Sequence, residues 1–364
     1  MTTAAAASVV GQQLRSLTGL RWWAAFMVFA THAFAGSAVP VAALPEPVVS
    51  VAGVLGFVGV SCFFVLSGFV LTWSGRPHDT APAFWRRRVV KVYPNHVVTM
   101  AVSVLTAGAP AAAILPNLLL VHAWTSDPTV TFGIDVSWSL SVEMAFYLAF
   151  PVLFALVRRI PAARLWYCAG GVLAAVFVMP SVAALLPATP LLPWEPTSAV
   201  QFWFLYVFPP VRMLEFVLGV LLARIGMTGR WLPAPVWSAW LALGVCCVVA
   251  TRLPGHYQVV AATIVPLALL IPALARAESR GRRSHLGSRV MVWLGNVSFA
   301  FYLLHTIALG FVVAGAEQLG VVQWTTLPVV AVLAGGLALS VLLSWLLFEL
   351  VERPVQRRFS ARRR

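Results

Sequence analysis

Ten stretches of the chain stay apolar for about the 20 helical residues that a bilayer requires. They lie at about 17–39, 49–74, 93–109, 138–157, 165–186, 201–223, 232–251, 257–275, 290–313 and 327–350. Polar residues gather in the short connections between them. The pattern predicts an all-α, polytopic membrane protein of about ten transmembrane helices, forming one domain over residues 1–364. The stretch 110–124, PAAAILPNLLLVHAW, is short and broken by proline, so it reads as re-entrant or interfacial. The first stretch carries Arg21 and His32 and lacks a small-residue cleavage site, so it reads as a retained span rather than a signal peptide. About 14 residues follow the last stretch, and no attached soluble domain is expected.

Composition agrees with the pattern. Hydrophobic residues make up 60% and charged residues 10%, against about 45–50% and 25% in soluble chains. The net charge of +14 does not point to nucleic acid, because the cations sit in short loops. With both termini inside, 22 of the 25 Lys and Arg residues fall on the cytoplasmic side, Arg252 falls outside, and Arg21 and Arg212 lie within spans. Such a bias orients a polytopic protein with its termini in the cytoplasm, here of a bacterial inner membrane. The four cysteines, Cys62, Cys168, Cys246 and Cys247, lie in apolar segments without metal-ligand spacing and read as packing residues. No metal site, P-loop or G-x-S-x-G elbow is present in the sequence.

An ionisable residue near the centre of a spanning helix costs at least about 2.5 kcal/mol, so each one needs a reason. Arg21 and His32 are separated by about three helical turns. They therefore share one face and stand roughly 16 Å apart along the axis. A fixed cation near the inner mouth and a titratable base deep in the span suit an elongated anionic donor with a remote reactive end. A snorkelling Arg and a His bonded to a neighbouring helix explain the same two residues. Glu143 shares a helix face with Ser139, four residues earlier. A carboxylate at that depth must be paired or protonated. His32 is a candidate partner, since a carboxylate orients an imidazole that acts as a general base; an Arg from another helix is the alternative. Arg212 and Glu215, three apart after Pro209-Pro210, read as an intramembrane salt bridge or as part of a cavity. Arg88 and Lys91 share a face if the third helix begins early. They suit phosphate or anionic lipid. His305, in the outer half of the ninth stretch, either lines the same cavity or bonds across helices. His96 and Glu349 lie near helix ends, whereas His78, His122 and His256 fall outside the stretches and carry no motif.

Taken together, these motifs resemble the integral-membrane acyltransferase-3 family over essentially the whole chain. The resemblance rests on Gly19-Leu20-Arg21 with His32 eleven residues on, Gly59 through Phe69, Arg87 through Pro94, Trp138 through Glu143, Arg212 through Phe216, Ser298 through His305, and Glu352-Arg353-Pro354. It implies O-acylation of a hydroxyl by an acyl-coenzyme A donor, with acetyl-CoA expected as a substrate rather than a bound cofactor. Such enzymes modify cell-surface polysaccharides, lipid-linked sugars and macrolide-type antibiotics. Arg21 and His32 match the family's signature pair. On this reading His32 and Glu143 are catalytic, and Arg21, Arg88 and Lys91 hold the donor. Lys91 departs from the family, which usually shows Arg there; the charge is kept and the bidentate fork lost. Two other readings compete: a secondary transporter, which usually shows repeat symmetry that is not found here, and a non-catalytic acyl-handling membrane subunit.

Overall fold

In the computed structural model, which describes residues 14–34, 44–75, 79–192, 195–321 and 324–360, each of the ten apolar stretches contains helix. The main helices are α1 (Arg15–Phe34), α2 (Glu46–Trp73), α3 (Ala81–Ala107), α4 (Ala111–Leu118), α5 (Trp138–Arg159), α6 (Leu165–Ala183), α7 (Pro209–Met227), α8 (Val236–Ala250), α9 (Ile264–Ser279), α10 (Arg289–Gln318), α11 (Thr326–Leu347) and α12 (Arg353–Ser360). Among the described residues, six continuous segments are long and apolar enough to cross a membrane by length and composition: Glu46–Trp73, Trp138–Arg159, Ala162–Ala183, Ala199–Met227, Arg289–Gln318 and Leu327–Phe359. Helix α8 is apolar but shorter. The protein is an all-α, multi-pass membrane protein. Among the described residues, strand occurs only where Leu191–Leu192 meets Glu195–Ser198.

Helix α2 is the centre of the molecule, packed between α1 and α7, while α10 packs on α1 and α11. Lipid tails are as apolar as side chains, so helices in a bilayer associate by close packing rather than by the hydrophobic effect. Glycines make the α2–α7 contact close. A methyl on Gly68 would lie 2.0 Å from the Phe216 carbonyl oxygen, and one on Gly219 would lie 2.0 Å from that of Val65. The α2–α7 pair therefore forms a rigid wall behind the site described below.

Several boundaries differ from the expected ones. Helix α3 begins at Ala81, twelve residues before the expected 93. The Thr80 hydroxyl accepts from the Ala83 amide at 3.4 Å and Pro82 occupies the first turn, both favourable helix starts. Hydropathy misses this start because the early turns carry Arg86, Arg87, Arg88 and Lys91. Helix α4 has only eight residues and falls far short of a span. It is tied down by Asn117, whose side chain donates to the Ala113 and Val130 carbonyls and accepts from Ser137. The stretch expected at 257–275 is split into Gly255–Gln258 and α9. The last stretch, expected to end at 350, continues through a π-helical turn, Phe348–Glu352, into α12. The end of the stretch expected at 17–39 lies outside the described residues, as do Arg76 and His78.

Candidate active site

Arg21 and His32 both lie on α1 and are half-buried. Arg21, with Glu143 and Ser139 of α5 and Tyr302 of α10, lines a cavity of about 450 Å³ whose remaining wall is apolar and aromatic. Two of these lining residues are joined: Ser139 donates to the Tyr302 hydroxyl at 2.8 Å. In Glu143, the carboxylate accepts from Ser67 at 3.3 Å and, more closely, from the Tyr147 hydroxyl one turn on.

The early start of α3 brings the three expected donor-binding cations together. Arg88 and Lys91 are three residues apart on one helix and share a face. The charges of Arg21, Arg88, Glu352 and Glu143 all act on Lys91, and those of Glu143, Arg88 and Arg21 act on Tyr147. The Arg88 guanidinium lies over the Phe84 ring at 5.3 Å and the Tyr147 ring at 5.7 Å. Glu352, 4% exposed, accepts from Asn95 at 2.6 Å and from Gln356 at 3.0 Å. Three cations thus face two carboxylates. On the other side of Arg88, a cleft of about 1070 Å³ is bordered by Arg87, Arg88 and Arg158, with Asp79 paired to Arg87.

Across the bundle, His32 meets an unexpected neighbour. The Glu143–His32 pair anticipated from depth is not among the described contacts. Equal residue offsets from two helix ends do not make equal depths when the helices start at different levels, and Glu143 lies on the Arg21 side of Ser139. The group beside His32 is His305, fully buried on α10. Its Nε2 lies 3.1 Å from His32 Nδ1, with ring centroids 5.0 Å apart. His32 Nδ1 is also 2.9 Å from the Val28 carbonyl oxygen, and His305 Nδ1 is 2.7 Å from that of Tyr302. Phe29 and Phe301 pack against the His305 ring.

Arg212 and Glu215, each 1% exposed, form the i,i+3 salt bridge at 2.9 Å. Arg212 also donates to Ser61 at 3.4 Å and lies over the rings of Phe64 and Tyr206. Pro209 and Pro210 open α7 after a π-helical turn at Trp203–Val207, where proline's missing N–H is least costly.

Three participants were not expected. Tyr147 carries no motif. Glu352 was legible in Glu-Arg-Pro but was given no role; Glu349, near the expected helix end, is half-buried and paired with Arg353 at 2.5 Å. His122, placed outside the spans, is fully buried beside Ser137, 3.4 Å from its hydroxyl.

The fold and site define a class: a multi-pass helical membrane protein with a cation-lined cavity at one end of a helix face and an imidazole pair at the other. The acyltransferase-3 family model, described as an acyltransferase domain, matches residues 14–349. The chain belongs to this family of acyl-transferring membrane enzymes. It is 43% identical over 370 aligned positions to Acyltransferase MdmB of Streptomyces mycarofaciens, covering 96% of this chain and 94% of that one. It is 29% identical over 329 positions to the Exopolysaccharide production protein ExoZ of Rhizobium meliloti (strain 1021), covering 85% and 92%. Nodulation protein 10 of Rhizobium leguminosarum bv. viciae is 30% identical over 146 positions, or 34% of this chain and 38% of that one. No solved structure matches the chain.

Proposed function

We propose that the protein is an O-acyltransferase of the bacterial cytoplasmic membrane. It moves an acyl group, acetyl in the first instance, from an acyl-coenzyme A to a hydroxyl of a carbohydrate or of a macrolide- or polyketide-type acceptor. It has ten spans, with both termini in the cytoplasm. The donor enters from the cytoplasm, its phosphates held by Arg21, Arg88 and Lys91. Its long arm runs past Ser139 and Tyr302 towards His32. There His32 acts as general base: it takes the acceptor's hydroxyl proton as that oxygen bonds to the thioester carbon. The carbon–sulfur bond then breaks, and the proton passes to the departing thiolate. Glu143 acts in the donor cavity, where its carboxylate balances Arg21 and accepts from Tyr147, and not as the partner of His32.

One observation carries this reading: a single face of α1 offers Arg21 to a cation-rich cavity and His32 to an imidazole pair. Family membership supports acyl transfer, and the exopolysaccharide role in ExoZ's name supports a carbohydrate among the candidate acceptors. The test uses protein in lipid nanodiscs, acetyl-CoA, and separate oligosaccharide and macrolide acceptors, with product read by mass spectrometry. His32→Ala should lower turnover at least about 100-fold, the usual worth of a general base, while coenzyme A still binds. Near-normal turnover would remove His32 from the chemistry.

A further inference from the structure

We propose that His305 is a positioning residue that selects the tautomer of His32 and so places the basic lone pair on His32 Nε2. The inference rests on the reading of His32 as the base and adds a second residue to that site.

Donor and acceptor roles at the two rings decide the tautomers. A carbonyl oxygen can only accept, and a neutral imidazole carries one N–H and one lone pair. His305 Nδ1 lies 2.7 Å from the Tyr302 carbonyl oxygen, so in the neutral ring Nδ1 carries the hydrogen and Nε2 the lone pair. That Nε2 lies 3.1 Å from His32 Nδ1. The hydrogen between the rings must therefore come from His32. The second contact of His32 Nδ1 agrees, because the Val28 carbonyl oxygen at 2.9 Å also needs a donor. His32 Nδ1–H is shared between two acceptors, and its lone pair falls on Nε2.

The other assignments fare worse. If His32 carried its hydrogen on Nε2, the Nδ1 lone pair would face both a carbonyl oxygen and the His305 lone pair. If His305 were the cation and donated to His32, a charge would sit on a fully buried ring between Phe29 and Phe301. The Val28 oxygen would still face a lone pair. Burial of an isolated charge in such surroundings is strongly unfavourable.

The arrangement also favours the reacting state. When His32 Nε2 takes the acceptor's proton, the ring becomes an imidazolium. The existing Nδ1–H bond to His305 then becomes charge-assisted and stronger. Interactions that strengthen as charge develops speed the chemical step instead of merely tightening substrate binding. His305 stays neutral throughout and exchanges no proton; it does for His32 what the third member of a catalytic triad does for its histidine.

The test compares wild type, His305→Leu, His305→Gln and His32→Ala as full chains in nanodiscs. A Gln amide oxygen can stand near the position of His305 Nε2 and accept the same hydrogen; Leu cannot. His305→Leu should lower kcat by about 10- to 150-fold, the worth of one hydrogen bond to a charged group, with KM unchanged for both substrates. His305→Gln should recover kcat to within about fivefold of wild type, because it restores an acceptor. Nitrogen-15 histidine spectra should show His32 protonated on Nδ1 in wild type and a mixed tautomer in His305→Leu. Wild-type kcat in His305→Leu, or an Nε2-protonated His32 in the wild type, would overturn the inference. So would a well-folded His305→Gln as slow as His305→Leu. Should His305→Leu fail to insert, the wild-type spectrum and the Gln variant decide. Activity in His32→Ala would instead sink the general-base reading, while the spectrum would still decide the hydrogen bond.

Discussion

Two of the Arg–Glu combinations among the described residues live under opposite conditions. Arg212 and Glu215 sit one turn apart on the same helix, joined at 2.9 Å, with side chains that are 0% and 1% exposed. They line a crevice of about 310 Å³ but expose almost no surface. Arg212 adds a serine and two ring faces to its partner's carboxylate. Arg21 and Glu143 come from different helices, are half-buried, and open on a cavity. Their neighbourhood holds one more cation than carboxylate, counting Arg88, Lys91 and Glu352. A charge pair closed on itself fixes how helices meet. A cation excess facing a cavity is an interaction left for a ligand to complete. On the proposed reading, intramembrane charge alone does not mark the functional site; exposure to a cavity and imbalance of charge do.

The largest effect is expected at the closed pair. Arg212→Leu leaves Glu215 buried without its counter-charge, a loss of about 3–5 kcal/mol. The variant should show much lower yield and a lower unfolding temperature in detergent, whereas Arg212→Leu with Glu215→Leu should recover most of the loss. Variant protein that does fold should bind coenzyme A normally. If the single variant unfolded at the wild-type temperature, the pair would not be structural and the contrast would fail.

The open combination should respond in the reverse sense. Arg21→Ala and Arg88→Ala remove one charge-assisted phosphate contact each, worth about 1.5–3 kcal/mol, so the donor KM should rise roughly 10- to 150-fold. Unfolding temperature should barely move, because the cavity already surrounds these groups with space. Donor binding should weaken as salt rises. Equal donor affinity in wild type and both variants, measured by titration, would place the donor elsewhere, with the arginines of 276–289 next in line.

Much of this could be read from the sequence, and the failures have physical causes. The all-α, membrane-spanning class was legible because a run of about 20 apolar residues has few alternatives in a bilayer; among the described residues, six segments are long and apolar enough to cross one. Arg212–Glu215 was legible because i,i+3 proximity follows from helix geometry alone. The start of α3 was not, because its first turns carry four cations and hydropathy reads them as loop. A cross-helix bond at His305 was legible, but its partner was not: His32 lies 273 residues away, and only the α1–α10 contact brings the two rings together. Glu352 was missed because a π-helical turn carries the last helix past its expected end, turning inward a carboxylate assigned to the tail.

The finest test of the contrast is Lys91, where the family usually has Arg. Lys91 is half-buried, and Arg21 and Arg88 repel it while Glu352 and Glu143 attract it. Arg21 repulsion is the largest of these influences and burial adds to it, so Lys91→Ala should leave the unligated protein at least as stable as wild type. Its contribution appears when the donor arrives, since phosphates turn the repulsion among three cations into shared attraction. An ammonium is a point charge without the guanidinium's fixed fork, so its loss should raise donor KM by less than about tenfold, below the effect of either Arg. The same excess concentration of coenzyme A should therefore raise the unfolding temperature of Lys91→Ala less than that of wild type, because stabilisation grows with the logarithm of ligand concentration over Kd. Lys91→Arg should match or exceed wild-type donor affinity. A loss in Lys91→Ala as large as in Arg21→Ala would make Lys91 a direct phosphate ligand of equal standing. An increase in unligated stability would show that the cation excess is a strain held in place until the donor relieves it.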